Sequence, residues 1–162
     1  MGLSSWLKSK LAPEPLDTTF TAEEAELAPQ IAETAGSLMG LQLSTASRYA
    51  MVHGHDLNDF TWQIQAFAFG LFCSALEQKG IPWYKCAPVL VRYCESYMPD
   101  YADHRELAQL VSHFGVEPGY ESYVASGRAA MVRFANNQIE EPTGADINDL
   151  AVALGLDHDG ET

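Results

Sequence analysis

Residues 57–79 read LNDFTWQIQAFAFGLFCSALEQK, and this stretch limits what the rest of the chain can be. Leu57, Phe60, Ile64, Phe67, Leu71 and Ala75 recur at three- and four-residue steps, which places them on one face of a helix. Residues 66–73 (AFAFGLFC) are apolar all round, so that part of the helix needs neighbours on every side. Gln63, Gln65, Ser74 and Glu77 bound the run well short of the roughly 20 apolar residues a membrane span requires. The reading is a central helix inside a bundle, with no transmembrane span. Gly80, just after Lys79, supplies a left-handed stop with a cation in the last turn.

The other segments supply partners for that helix. Thr21 and Glu24 form a T-x-x-E capping box, and Glu23, Glu24 and Glu26 suit the positive end of a helix dipole. Pro29 falls two turns later, where it either kinks this helix or opens a second one. Ala32, Gly36, Gly40 and Ser44 then make a stripe of small residues, expected to lie close against the central helix. In the turn 52–59, Gly54 is the punctuating residue and Asp56 or Asn58 the N-cap. Further helical periodicity runs through 82–99, 103–114, 120–136 and 146–154, with Gly127 a point where another backbone comes close. No strand alternation and no long repeat appears, which predicts an all-α, single-domain bundle of six to eight helices around 57–79. The expected organisation is an amphipathic segment at 1–12, a linker at 13–20, the helical domain at 21–155 and an acidic tail at 156–162.

Charge narrows the partners. The 162 residues include 22 Asp plus Glu against 9 Lys plus Arg, and the first twelve hold Lys8 and Lys10 and no acid. The acidic excess therefore belongs to the body, which repels phosphate backbones and steers basic proteins inward. Direct nucleic-acid binding is disfavoured. Cys73, Cys86 and Cys94 have no CxxC spacing, and the expectation is buried free thiols in a reducing compartment. The start of the chain shows neither an apolar run of signal-peptide length nor an evident cleavage pattern, so a cytoplasmic location is expected. Leu3, Trp6, Leu7 and Leu11 share one side of a short basic segment, suited to docking on the acidic body or on a partner. Weak peripheral contact of residues 1–11 with an anionic membrane, and homodimer formation, are further expectations.

Two constellations carry candidate sites. His53, His55 and Asp56 place two imidazoles and a carboxylate within four residues, a donor set suited to zinc, nickel or iron, with His104 or His113 needed to complete a shell. The His55–Asp56 pair resembles part of the motif of the all-helical HD phosphohydrolases, which would imply metal-dependent hydrolysis. The upstream histidine of that pattern is missing, because His53 is the first histidine in the chain. The second constellation is Trp83, Tyr84, Arg92, Tyr93, Tyr97 and Tyr101, residue types that dominate protein interfaces but also line the rim of a domain's own core. Phosphate-binding glycine loops, G-x-S-x-G and H-E-x-x-H are absent from the sequence, and no cofactor is implied. The expected function is a non-catalytic acidic interaction module of the inhibitor, immunity, adaptor or chaperone type. The alternative is a metal-binding protein or hydrolase centred on His53, His55 and Asp56.

Overall fold

The computed structural model describes residues 19–86, 89, 118–137 and 148–156. These form four α-helices, α1 (Ala22–Val52), α2 (Thr61–Glu77), α3 (Pro118–Asn137) and α4 (Asp149–Ala153), with 3-10 turns at Leu57–Phe60 and Trp83–Lys85 and no strand. The chain is all-α, but the described residues hold four helices rather than six to eight. Pro29 is one reason. It lies inside the unbroken 31-residue α1, on an exposed side between exposed Ala25 and Glu33, where the carbonyl it leaves without an N–H partner meets water. The remaining expected helices, within 82–99 and at 103–114, lie largely or wholly outside the described residues.

Local chemistry sets the helix ends. The Thr21 hydroxyl accepts from the Glu24 N–H at 3.2 Å while the Glu24 carboxylate accepts from the Thr21 N–H at 2.9 Å, closing the capping box that starts α1. Asp56 caps the turn before α2 by accepting from the Asn58 N–H at 2.9 Å. Helices α1, α2 and α4 stop in the same way. Gly54, Gly80 and Gly155 have positive φ, and the N–H after each glycine bonds back to Ala50, Leu76 and Ala151 respectively. At two of these ends the following residue, Ile81 or Leu156, is buried, so the stop also packs.

Helix α2 is the centre. Every residue from 64 to 76 is buried, and Phe67, Phe69, Phe72, Leu71 and Leu76 are among the largest side chains removed from water. Its main partner is α3, and the two backbones nearly touch. A Cβ added to Gly70 would stand 2.0 Å from the Val124 carbonyl oxygen, and one added to Gly127 would stand 2.0 Å from the Phe67 carbonyl oxygen. The arrangement is reciprocal, because each helix presents a glycine and, three residues earlier, the carbonyl that the other glycine receives. With a C–C bond of about 1.5 Å, each glycine Cα lies at most about 3.5 Å from the facing oxygen, within range of a Cα–H···O contact. The helices cross in the same sense: Trp62 near the start of α2 meets Tyr120 and Tyr123 of α3, and Glu77 at its end pairs with Arg128.

The stripe on α1 does not make this contact. Gly40 and Ser44 are exposed, and a Cβ on Gly40 would meet nothing within 4 Å. Helix α1 instead buries Ile31, Ala35, Leu38, Met39, Ala46 and Ala50. It also buries Gln42, whose amide holds α4: Nε2 donates to Asp149 Oδ2 at 2.8 Å, and Oε1 accepts the Leu150 N–H at 2.8 Å. Arg133 of α3 donates to the same Asp149 oxygen at 2.6 Å, so one carboxylate joins three helices. Gln42→Leu keeps the volume but strands the Leu150 N–H, and it should destabilise the fold by about 1–3 kcal/mol in urea denaturation.

A second polar clasp joins the start of α1 to the turn after α2. Lys85 is only 8% exposed, and its ammonium donates to Glu24 Oε1 at 2.5 Å. The Lys85 hydrogen bond, followed by the Thr21 N–H, holds the Glu24 carboxyl below its ordinary value of 4.5. A depressed carboxyl contributes stability that is complete above the unfolded value and is lost as pH falls through the folded one. Urea midpoints measured from neutral pH to below pH 4.5 should therefore fall more steeply for the natural chain than for Glu24→Gln.

Candidate functional site

The HGHD turn uses its backbone N–H groups, the His55 ring and the Asp56 carboxylate in local structure. His53 closes α1, its N–H directed at the Tyr49 and Ala50 carbonyls, and the His55 N–H bonds to Ala50. The His55 ring stands edge-on to Phe60, with centroids 5.9 Å apart. Asp56 is engaged as the cap of the following turn, and Asp59 returns a carboxylate to the Asp56 N–H at 3.3 Å. Among the described residues, no group of three or more His, Cys, Asp and Glu side chains is arranged to hold a metal ion. His104 and His113, the ligands expected to complete a shell, lie outside the described residues.

The aromatic constellation is divided. Trp83 is 8% exposed and belongs to the core, against the expectation that it faces a partner. Its position explains this: Trp83 closely follows the Gly80 stop, and the 3-10 turn folds it back beside the end of α2, where its carbonyl accepts from Cys73 Sγ. The Tyr84 side chain, and all of Arg92, Tyr93, Tyr97 and Tyr101, lie outside the described residues.

A different aromatic group is assembled at the α2–α3 crossing. Trp62 is 39% exposed and meets Tyr120 at 5.0 Å and Tyr123 at 5.3 Å between ring centroids, both edge-to-face, at 67° and 88°. Such pairs hold one another at fixed angles and are favourable beyond the area they bury. Gly119 lies beside the indole, where an added Cβ would be in ordinary van der Waals contact, 3.4 Å from Trp62 Cη2. Asp59 is exposed one turn before Trp62, and Glu121 is half-buried between the two tyrosines in sequence. The group thus joins a partly exposed indole and two partly buried phenols on an acidic chain. The helical periodicity through 120–136 begins at Tyr120, whereas Trp62 falls outside the set of residues that defines the face of its own helix. The signal for the site was that displaced tryptophan, but the helix that meets it starts 56 residues later.

No protein-family model, no curated protein and no solved structure matches the chain. Among the described residues no helix is long and apolar enough to cross a membrane.

Proposed function

We propose that the protein is a non-catalytic, acidic helical module that binds a basic protein partner through an aromatic surface. The observation that carries this reading is the Trp62–Tyr120–Tyr123 group, an interlocked aromatic surface on a chain of formal net charge −13. Charge speeds the encounter with a basic partner and rejects acidic ones. The indole then supplies a rigid contact for an arginine or lysine side chain, with tryptophan the best of the aromatic faces for a cation. Arg92, Tyr93, Tyr97 and Tyr101 belong to the proposal on their sequence pattern. Action as an inhibitor, adaptor or chaperone in the cytoplasm is the corresponding cellular role.

The test uses short arginine-rich peptides titrated against the natural chain and Trp62→Ala, followed by calorimetry at two salt concentrations. Binding should weaken with salt, and the substitution should weaken it at least about tenfold, or about 1.4 kcal/mol, while leaving the far-ultraviolet spectrum unchanged. Equal affinity of the two proteins would remove Trp62 from the site. Binding indifferent to salt would remove the electrostatic part.

A further inference from the structure

Cys73 and Cys86 sit at the junction between α2 and the turn that follows it, each thiol directed at the other's backbone segment. Cys73 Sγ donates to the Trp83 carbonyl at 3.8 Å, on the segment that carries Cys86, and Cys86 Sγ donates to the Phe69 carbonyl at 3.9 Å, one helical turn before Cys73. The Trp83 carbonyl also accepts the Cys86 N–H, so it joins the Cys73 thiol to the backbone of Cys86. Both are free thiols and almost fully buried.

We propose that Cys73 and Cys86 are a redox modification site, an internal dithiol that a small disulfide converts to a Cys73–Cys86 bridge. This site is independent of the partner-binding surface. Opening of the 3-10 turn admits the oxidant, and one cysteine, as its thiolate, attacks a sulfur of the small disulfide and expels one small thiolate. The second cysteine, as its thiolate, then attacks the protein-side sulfur of that mixed disulfide and expels the other. In balance, two protein thiols and one disulfide give one protein disulfide and two small thiols. Burial comes first among the causes that raise the Cys73 thiol well above its ordinary range, followed by Cys86 beside it, and this keeps the closed form unreactive at neutral pH. The attacking thiolate therefore forms in the open state, and the rate follows opening of the turn. The bridge would fasten the segment that carries Lys85, and hence the Glu24 clasp, to the central helix.

The experiment incubates the full chain in mixtures of oxidised and reduced glutathione, traps the remaining thiols with an alkylating reagent, and maps the peptides. The expected product is one cross-linked pair containing Cys73 and Cys86, free of glutathione, reversed by a dithiol reductant, with a higher urea midpoint than the reduced chain. Cys94→Ser should give the same pair. Three results would overturn the proposal: separate glutathione adducts on Cys73 and Cys86, a bridge from either to Cys94, or both remaining thiols at the most oxidising ratio in urea just below the unfolding transition.

Discussion

Phe67→Ala should cost about 3–5 kcal/mol, a large share of the 5–15 kcal/mol that typically holds a domain folded, and should leave the protein unfolded or nearly so. The ring of Phe67 is fully buried in the run of residues 64–76, and its carbonyl forms half of the α2–α3 crossing. Truncation therefore opens a cavity within the fully buried run of α2. Chemical denaturation measures the effect directly. A loss below about 1 kcal/mol would mean that the ring lines a space that tolerates its removal, well short of the range for buried aromatics.

Gly127→Ala should be comparably damaging for the opposite reason. It adds one methyl group where the nearest atom is a backbone oxygen 2.0 Å away, and a carbonyl inside α2 cannot swing aside as a side-chain end can. Overpacking of a core typically costs 1–3 kcal/mol. The backbone obstacle places this substitution at or above the upper end of about 3 kcal/mol, well beyond the gain of up to about 1 kcal/mol that alanine offers over glycine in a helix. Gly40→Ala, with open space around it, should be neutral or slightly stabilising, and it separates the steric effect from helix propensity. Thermal or urea unfolding of the two variants side by side checks the contrast.

Features set by near neighbours along the chain were legible in the sequence. The apolar run marked α2, Thr21 and Glu24 marked the start of α1, Asp56 or Asn58 the cap before α2, of which the structure uses Asp56, and Gly80 the stop after it; each depends on residues within one or two turns. A close backbone at Gly127 was also legible, because a lone glycine in a helix invites it. Its partner was not. Close approach belongs to a pair of helices, so four small residues on α1 promised more than the single glycines of α2 and α3 that make the contact. Gln42 is buried because Asp149 and Leu150, more than a hundred positions later, satisfy its amide, and nothing near it in the chain signals this. The two tryptophans show the same limit. Trp83 fits an interface composition but is folded inward, whereas Trp62 becomes part of a site only when α3 brings two tyrosines to it.

The crossing also bears on the proposed function, since α2 carries Trp62 on its first turn and α3 carries Tyr120 and Tyr123 on its first two. Substitutions that separate the helices should move Trp62 away from Tyr120 and Tyr123 and weaken peptide binding even where the chain stays folded. Substitution of Trp62 itself should spare the crossing, because its side chain lies outside the buried run.

The most direct test of a reciprocal glycine crossing at the centre of the fold is a double-mutant cycle of Gly70→Ala and Gly127→Ala in urea. If both glycines serve one contact, the first substitution already forces the helices apart and the second adds less, giving a coupling of about 0.5–3 kcal/mol. Costs that add to within about 0.5 kcal/mol would mean that the two sites are independent, and would contradict a shared crossing.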